Sequence, residues 1–182
     1  MGRAFLGIVV FAAAGCASVR APRYYTWDLR PAGAARPSCN IVVQRLRVAD
    51  PLTRRNILIK RSPIEVEYYA LDEWVSGLEQ LATHKLQTEF GDELPGRKTV
   101  LLEGTLRAFE QQDLPAGARA YAQLSVIVCE SPVTRSSTPL LEKTYEAAVD
   151  MPDARPVNLA EALSRAIERI AAQITSDLAA LE

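Results

Sequence analysis

The sequence predicts an α/β (α+β) fold: a two-layer sandwich in which a mixed or antiparallel sheet carries two helices packed on one face. Three observations point there. Residues 100–149 hold three stretches in which apolar and polar side chains alternate with period two, joined by short loops. That is the pattern of an antiparallel meander with one face on a core. Residues 72–90 and 158–178 instead repeat their apolar side chains at helical spacing. The chain has 182 residues, 48% hydrophobic and 24% charged, which suits one domain with a real core.

The elements follow in chain order. Residues 1–15 hold a cation (Arg3), an uncharged apolar run and the small residues Ala13, Ala14 and Gly15, just ahead of Cys16. This is the layout of a secretory signal, and its apolar run is far shorter than the roughly 20 residues that span a bilayer. A cysteine directly after small residues makes the stretch resemble a bacterial lipoprotein signal, with Ala13 where such signals usually carry Leu. The resemblance implies cleavage before Cys16 and acylation of its thiol. With more than one acyl chain the anchor is effectively permanent. Ala17 and Ser18 follow, without the Asp that holds enterobacterial lipoproteins at the inner membrane, and this favours the outer membrane. Residues 16–23 then form the lipidated cysteine and a short tether, and residues 24–182 the domain. At roughly 3.4 Å per residue, the tether lets the domain stand no more than about 25 Å from the lipid.

Residues 24–29, rich in aromatics, predict a first strand, and the Pro- and Gly-containing stretch 30–38 a loop. Residues 41–48 predict a strand with Val42, Leu46 and Val48 on one face and Ile41, Val43, Arg45 and Arg47 on the other. A hairpin is expected from 56–60 and 64–69 around Arg61-Ser62-Pro63. The first helix is placed at 72–90, with Asp72 as N-cap and Leu71, Trp74, Val75, Leu78, Leu81, Ala82 and Leu86 as its apolar stripe. Gly77 falls inside it and Gly91 just past its end. In the meander, Val100, Leu102, Gly104, Leu106 and Ala108 alternate with Leu101, Glu103, Thr105, Arg107 and Phe109, and loops are expected at 113–117 and 131–138. The last helix opens on Asn158 and Glu161, spaced as a capping box. Leu159, Leu163, Ile167, Ile170, Ile174 and Leu178 form its stripe, with Ala162, Ala166 and Ala171 beside them.

Little in the sequence suggests catalysis. His84 is the one histidine, and no cluster of imidazoles or thiols accompanies it, so no metal site is expected. No strand-serine-helix elbow and no Gly-rich phosphate loop appears. The carboxylate pairs Glu65/Glu67 and Asp72/Glu73 are accounted for by solvation and capping. The expectation is a protein that is not an enzyme and has no cofactor beyond the covalent lipid on Cys16. A net charge of −1, or −2 once Arg3 is removed, gives no basic excess for nucleic acid. Cys39 and Cys129 remain as a pair that could form one disulfide or stay as separate thiols.

Residues 61–74 carry a further likeness. The pair Glu67-Tyr68 and the triplet Asp72-Glu73-Trp74 resemble the ABC-type transport auxiliary lipoprotein family, the PqiC-like lipoproteins. In that family a hairpin ends in Glu-Tyr and an Asp-x-Trp opens the long helix. Tyr24-Tyr25-Thr26 is similar to the family's first strand, with Trp27 where Leu is usual. The resemblance implies an envelope lipoprotein that accompanies an ATPase, a permease and a periplasmic protein of the mammalian-cell-entry (MCE) type in lipid transport, and supports envelope integrity. It implies docking of the MCE component at the outer membrane, from the periplasmic side. Arg61, Glu67, Tyr68, Tyr69 and Trp74 are the candidate contacts, since Arg and aromatics are enriched in interface hot spots. Assembly with further copies of the chain would suit an exposed sheet face or edge. The alternatives are a lipid-binding carrier lipoprotein and a structural lipoprotein in outer-membrane assembly.

Overall fold

A computed structural model describes residues 20–33, 37–44, 46–132 and 138–181. The signal stretch, Cys16, residues 17–19 of the tether and Arg45 lie outside the described residues. The elements run β1 (Arg23–Tyr25), β2 (Asn40–Val43), β3 (Arg47–Val48), β4 (Asn56–Lys60), β5 (Val66–Trp74), α1 (Leu78–Phe90), β6 (Thr99–Leu114), β7 (Gly117–Glu130), β8 (Leu141–Asp150) and α2 (Pro156–Ala179). They form one mixed sheet in the order β1-β5-β4-β6-β7-β8, with β2 and β3 also paired to β6. The two helices pack on one face of it, as expected.

β6 is the spine. One edge pairs antiparallel with β7 along its length, from Val100↔Glu130 to Leu114↔Gly117. Its other edge is shared by three short parallel partners: β2 along Thr99–Leu102, β3 at Thr105–Leu106 and β4 at Gln111–Gln112. β7 continues into β8, giving the predicted antiparallel meander. Leu102, Leu106, Leu124, Val126, Tyr145 and Ala147 face the helices and are buried, while Glu103, Arg107, Ile127, Glu142 and Glu146 lie on the opposite, open face. Leu163, Ile167, Ile170 and Ile174 of α2 are fully buried against this layer. Each such side chain contributes about 1.5–3 kcal/mol through burial.

The structure corrects several local expectations. Only Arg23–Tyr25 of the first strand joins the sheet. Trp27 turns into the core, where its ring lies 4.6 Å from Phe109 and 6.3 Å from Trp74. The strand at 41–48 is broken in two, so Ile41 and Val43 face inward before the break and Leu46 after it. A bulge between Leu106 and Ala108 likewise resets the alternation and brings Phe109 to the core side.

The largest change concerns residues 72–77. Asp72 caps no helix: it lies within β5 beside β1, where its carboxylate accepts hydrogen bonds from Tyr25 Oη at 2.9 Å and from Arg23. Trp74 continues the strand, its N–H donating to the Arg55 carbonyl at 2.8 Å. The helix therefore starts at Leu78 with Gly77 as N-cap. Its end falls where predicted, with Gly91 at φ 76° donating its N–H to Gln87. α2 starts at Pro156, two residues before Asn158, because proline suits the first helical position. Asn158 is not its cap; it donates from Nδ2 to Asp153, which also accepts the Arg155 N–H.

Candidate functional site

The β4–β5 hairpin and the end of β6 meet at one corner of the sheet, and the charged residues predicted from sequence converge there. Lys60 stands level with Gln112 in the parallel pairing, so Arg61 reaches across to β6. Its guanidinium pairs with Glu67 at 2.8 Å and with Asp113. Asp113 also accepts the Gln111 amide at 2.7 Å, and Gln111 Oε1 lies 2.8 Å from Tyr69 Oη. The same hydroxyl lies 2.6 Å from the Ala154 carbonyl, on the connection from β8 to α2. Tyr69 carries one proton and donates to one of these acceptors at a time.

The surroundings hold Arg61 and Tyr69 each in one protonation state. The hydrogen bonds that Arg61 donates to Glu67 and Asp113 raise its pKa further, so it stays cationic. Burial, with the nearby Asp113 charge, pushes the Tyr69 phenol up, so it stays a donor. Three chain segments are thus locked together beneath a surface of side chains with little cover: Ile64 is 97% exposed, Val66 48% and Leu114 41%. The corner can bind and position a partner.

The remaining candidates fall elsewhere. Tyr68 donates to the Pro51 carbonyl at 3.0 Å and lies under the Arg54 guanidinium, 4.9 Å from the ring centre. Trp74 is 1% exposed and packs 5.5 Å from Phe109, so its ring has no surface to offer a partner. It does its work in the core because β5 runs on to include it. His84 lies exposed on α1, and the described residues hold no group of three metal-ligating side chains.

Residues 28–175 match the family model of the ABC-type transport auxiliary lipoprotein component. The chain belongs to this family. A Xanthomonas campestris protein of the DUF330 family model has a similar crystal structure, with a TM-score of 0.70 at 13% identity, covering 87% of this chain and 96% of that one. A second crystal structure, of an uncharacterized protein, gives a TM-score of 0.66 at 12% identity and covers 87% and 99% of the two chains. Both likenesses concern the fold. No curated protein matches the sequence.

The auxiliary lipoprotein has no Cys39–Cys129 disulfide. The two thiols sit on opposite edges of β6, Cys39 just before β2 and Cys129 opposite Leu101 on β7. Two interstrand spacings, roughly 9–10 Å across the sheet, and a three-residue offset along β6 separate them, well beyond the ~7 Å that a disulfide tolerates. Cys39 also falls in step with the buried Ile41 and Val43, and Cys129 with the open-face residues Ile127 and Ser125.

Sequence reasoning missed the polar knot that ties the N-terminal segment to the helices. Lys85 is fully buried on α1 and pairs with Glu89 and Glu168, each at 2.7 Å. Its third hydrogen bond goes to the Arg30 carbonyl at 2.9 Å. Glu89 in turn accepts the Ala32 N–H. The i,i+4 spacing of Lys85 and Glu89 was a visible signal, but such pairs are usually solvated. Also missed was the groove on the open sheet face, about 1120 Å³, floored by Thr105 and Ser125 and flanked by Arg47, Arg107 and Glu142.

Proposed function

We propose that this chain is the outer-membrane accessory of an ABC/MCE-type lipid transport system, anchored through lipid on Cys16 and receiving the periplasmic MCE component at the Arg61 corner. The observation that carries the reading is the corner itself. Arg61 pairs with Glu67 within the hairpin and with Asp113 on β6, and that rigid base presents Ile64, Val66 and Leu114 outward. Apolar side chains on a pre-organised support, ringed by an arginine and tyrosines, have the composition of a binding hot spot. The chain acts by binding and positioning, without catalysis. Membership in the auxiliary lipoprotein family supplies the transport system, and tethering to the membrane raises the local concentration of the docking surface.

Photo-crosslinking in living host cells tests this. A crosslinking residue at Ile64 or Leu114 of the full-length protein should capture an MCE-domain protein, identified by mass spectrometry. Arg61→Ala should weaken capture by loosening the corner, and Ile64→Asp should abolish it while leaving the fold intact. Capture of only a β-barrel, or of lipid, would replace this reading with outer-membrane assembly or lipid carriage.

A further inference from the structure

Where the tether meets the domain, the sheet edge is basic. β1 pairs parallel with the end of β5, bringing Arg23 opposite Asp72 and Tyr24 opposite Glu73. Arg20 and Arg23 border a shallow recess together with Leu71. Arg55 lies with its guanidinium 5.7 Å from the Tyr24 ring centre and donates to the carbonyls of Trp74 and Val75. Arg54 follows beside it, over Tyr68. Four guanidinium groups thus line this edge and the turn ahead of β4, against the carboxylates Asp72, Glu73 and Asp50, in a chain whose whole sequence holds 21 basic and 22 acidic residues. One of those carboxylates, Asp72, is buried and pairs with Arg23, whose side chain stays 66% exposed. Arg20, Arg54 and Arg55 take part in none of the ion pairs among the described residues. Tyr24 and Val75, at 55% and 51% exposure, add apolar surface to the same edge.

We infer that this edge lies on the membrane and binds the headgroups of anionic phospholipids. The inference rests on acylation of Cys16, part of the reading above. Arg20 follows Cys16 by four residues, so a fully extended chain keeps it within about 14 Å of the lipid, and a relaxed one brings it closer. That puts the arginines within reach of a surface potential that decays over about 8 Å at physiological salt. Guanidinium groups match phosphate geometry, and arginine and tyrosine side chains carry apolar stems or rings that suit the interface. The occupant is therefore the bilayer that already holds the anchor. Its effect is orientation: a lipid anchor alone leaves the domain free to rotate, whereas a headgroup contact at the β1 edge fixes which side of the sheet faces outward.

The test uses the full-length protein purified with its anchor. Its intact mass reports whether Cys16 carries acyl chains. The protein is then reconstituted into phosphatidylcholine vesicles, with or without about one-third phosphatidylglycerol, and hydrogen exchange is followed in peptides covering residues 20–25 and 53–56. Anionic vesicles should slow exchange there about fivefold for each arginine engaged. Arg20→Glu and Arg54→Glu, neither of which breaks an ion pair of the fold, should each remove part of that protection. Arg165→Glu on the exposed side of α2 should leave it unchanged. An acylated protein with equal exchange on both vesicles, or one that loses protection equally in Arg165→Glu, overturns the membrane-facing edge and leaves the docking reading standing. A protein without acyl mass removes the anchored reading and this inference with it.

Discussion

From Thr99 onward, β6, β7 and β8 pair along strands of 16, 14 and 10 residues, interrupted within the ladder by the bulge at Arg107. Before Thr99, β5 has nine residues and no other strand exceeds five. The later half is held by backbone ladders and the apolar stripe of α2. The earlier half also buries apolar side chains such as Trp27, Ile57 and Trp74, but its short strands are tied down by single polar side chains that each reach a distant segment. Asn40 both donates to and accepts from Leu94, Arg55 holds the end of β5, and Lys85 holds the segment after β1. The first kind of support is spread over many contacts, so one substitution costs its own share. The second is concentrated, and removing one side chain frees a whole segment.

The sharpest break of that contrast is Lys85→Ala. Removing one member of a buried ion network leaves Glu89 without its cation at 2% exposure, and such losses cost about 3–5 kcal/mol. Urea denaturation should show a fall of that size, with exchange rising first in residues 28–33. Replacing Lys85, Glu89 and Glu168 together by apolar residues should restore much of the loss, because no buried charge is then uncompensated. If the triple variant is no better than Lys85→Ala, packing at this position, and not charge, holds the segment after β1.

How much was legible follows the same division. The meander and α2 could be read because their signals repeat: Leu159, Leu163, Ile167, Ile170, Ile174 and Leu178 all proved buried, as helical spacing required. The breaks could not, since a bulge at Arg107 or a gap after Val43 leaves no periodic trace. Residues 72–74 were ambiguous in principle. An Asp two residues ahead of Trp74 and Val75 fits an N-cap as well as a strand end, and only the distant partners Arg23, Tyr25 and Arg55 decide between them. At the corner, Arg61, Glu67 and Tyr69 were legible as residue types. Their partners Gln111 and Asp113 were not, because the crossover through α1 that brings β6 beside β4 is a property of the whole sheet.

A smaller effect tests where the halves are joined. A Cβ on Gly104 would lie 2.8 Å from the Ser125 carbonyl oxygen and 3.2 Å from Leu46 Cδ2. The first neighbour is backbone within the long ladder, and the second sits in the gap between β2 and β3. Gly104→Ala should therefore cost about 1–3 kcal/mol as overpacking, seen as a lowered urea midpoint. Loss of a similar size is expected from Asp72→Asn, which weakens two hydrogen bonds to a buried carboxylate by about 1–3 kcal/mol. Its signature is local: faster exchange at Tyr24 and Tyr25, with the meander unchanged. Global unfolding in Asp72→Asn would mean that β1 supports the whole sheet, and the contrast between the halves would fail.

The mildest test lies where the regular half does use a polar link. Asp177 on α2 accepts hydrogen bonds from Lys143 Nζ and Tyr145 Oη on β8, each at 2.6 Å. The Lys143 bond, then that of Tyr145, holds the Asp177 carboxyl below its ordinary value. A carboxyl with a depressed folded pKa binds its proton less readily when folded than when unfolded. Its stabilisation is therefore complete above the unfolded value near 3.9 and is lost as pH falls from there through the folded pKa. Urea midpoints taken from pH 6 down to about pH 2 should decline along that limb in the native chain, and Asp177→Asn should flatten part of the decline. The difference at neutral pH should be small, because both partners are partly solvated and the α2–β8 contact rests mainly on buried Leu178, Ile174 and Ala147. A large neutral-pH loss would instead place this link beside Lys85, and would show that polar fasteners govern the meander as much as the strands before it.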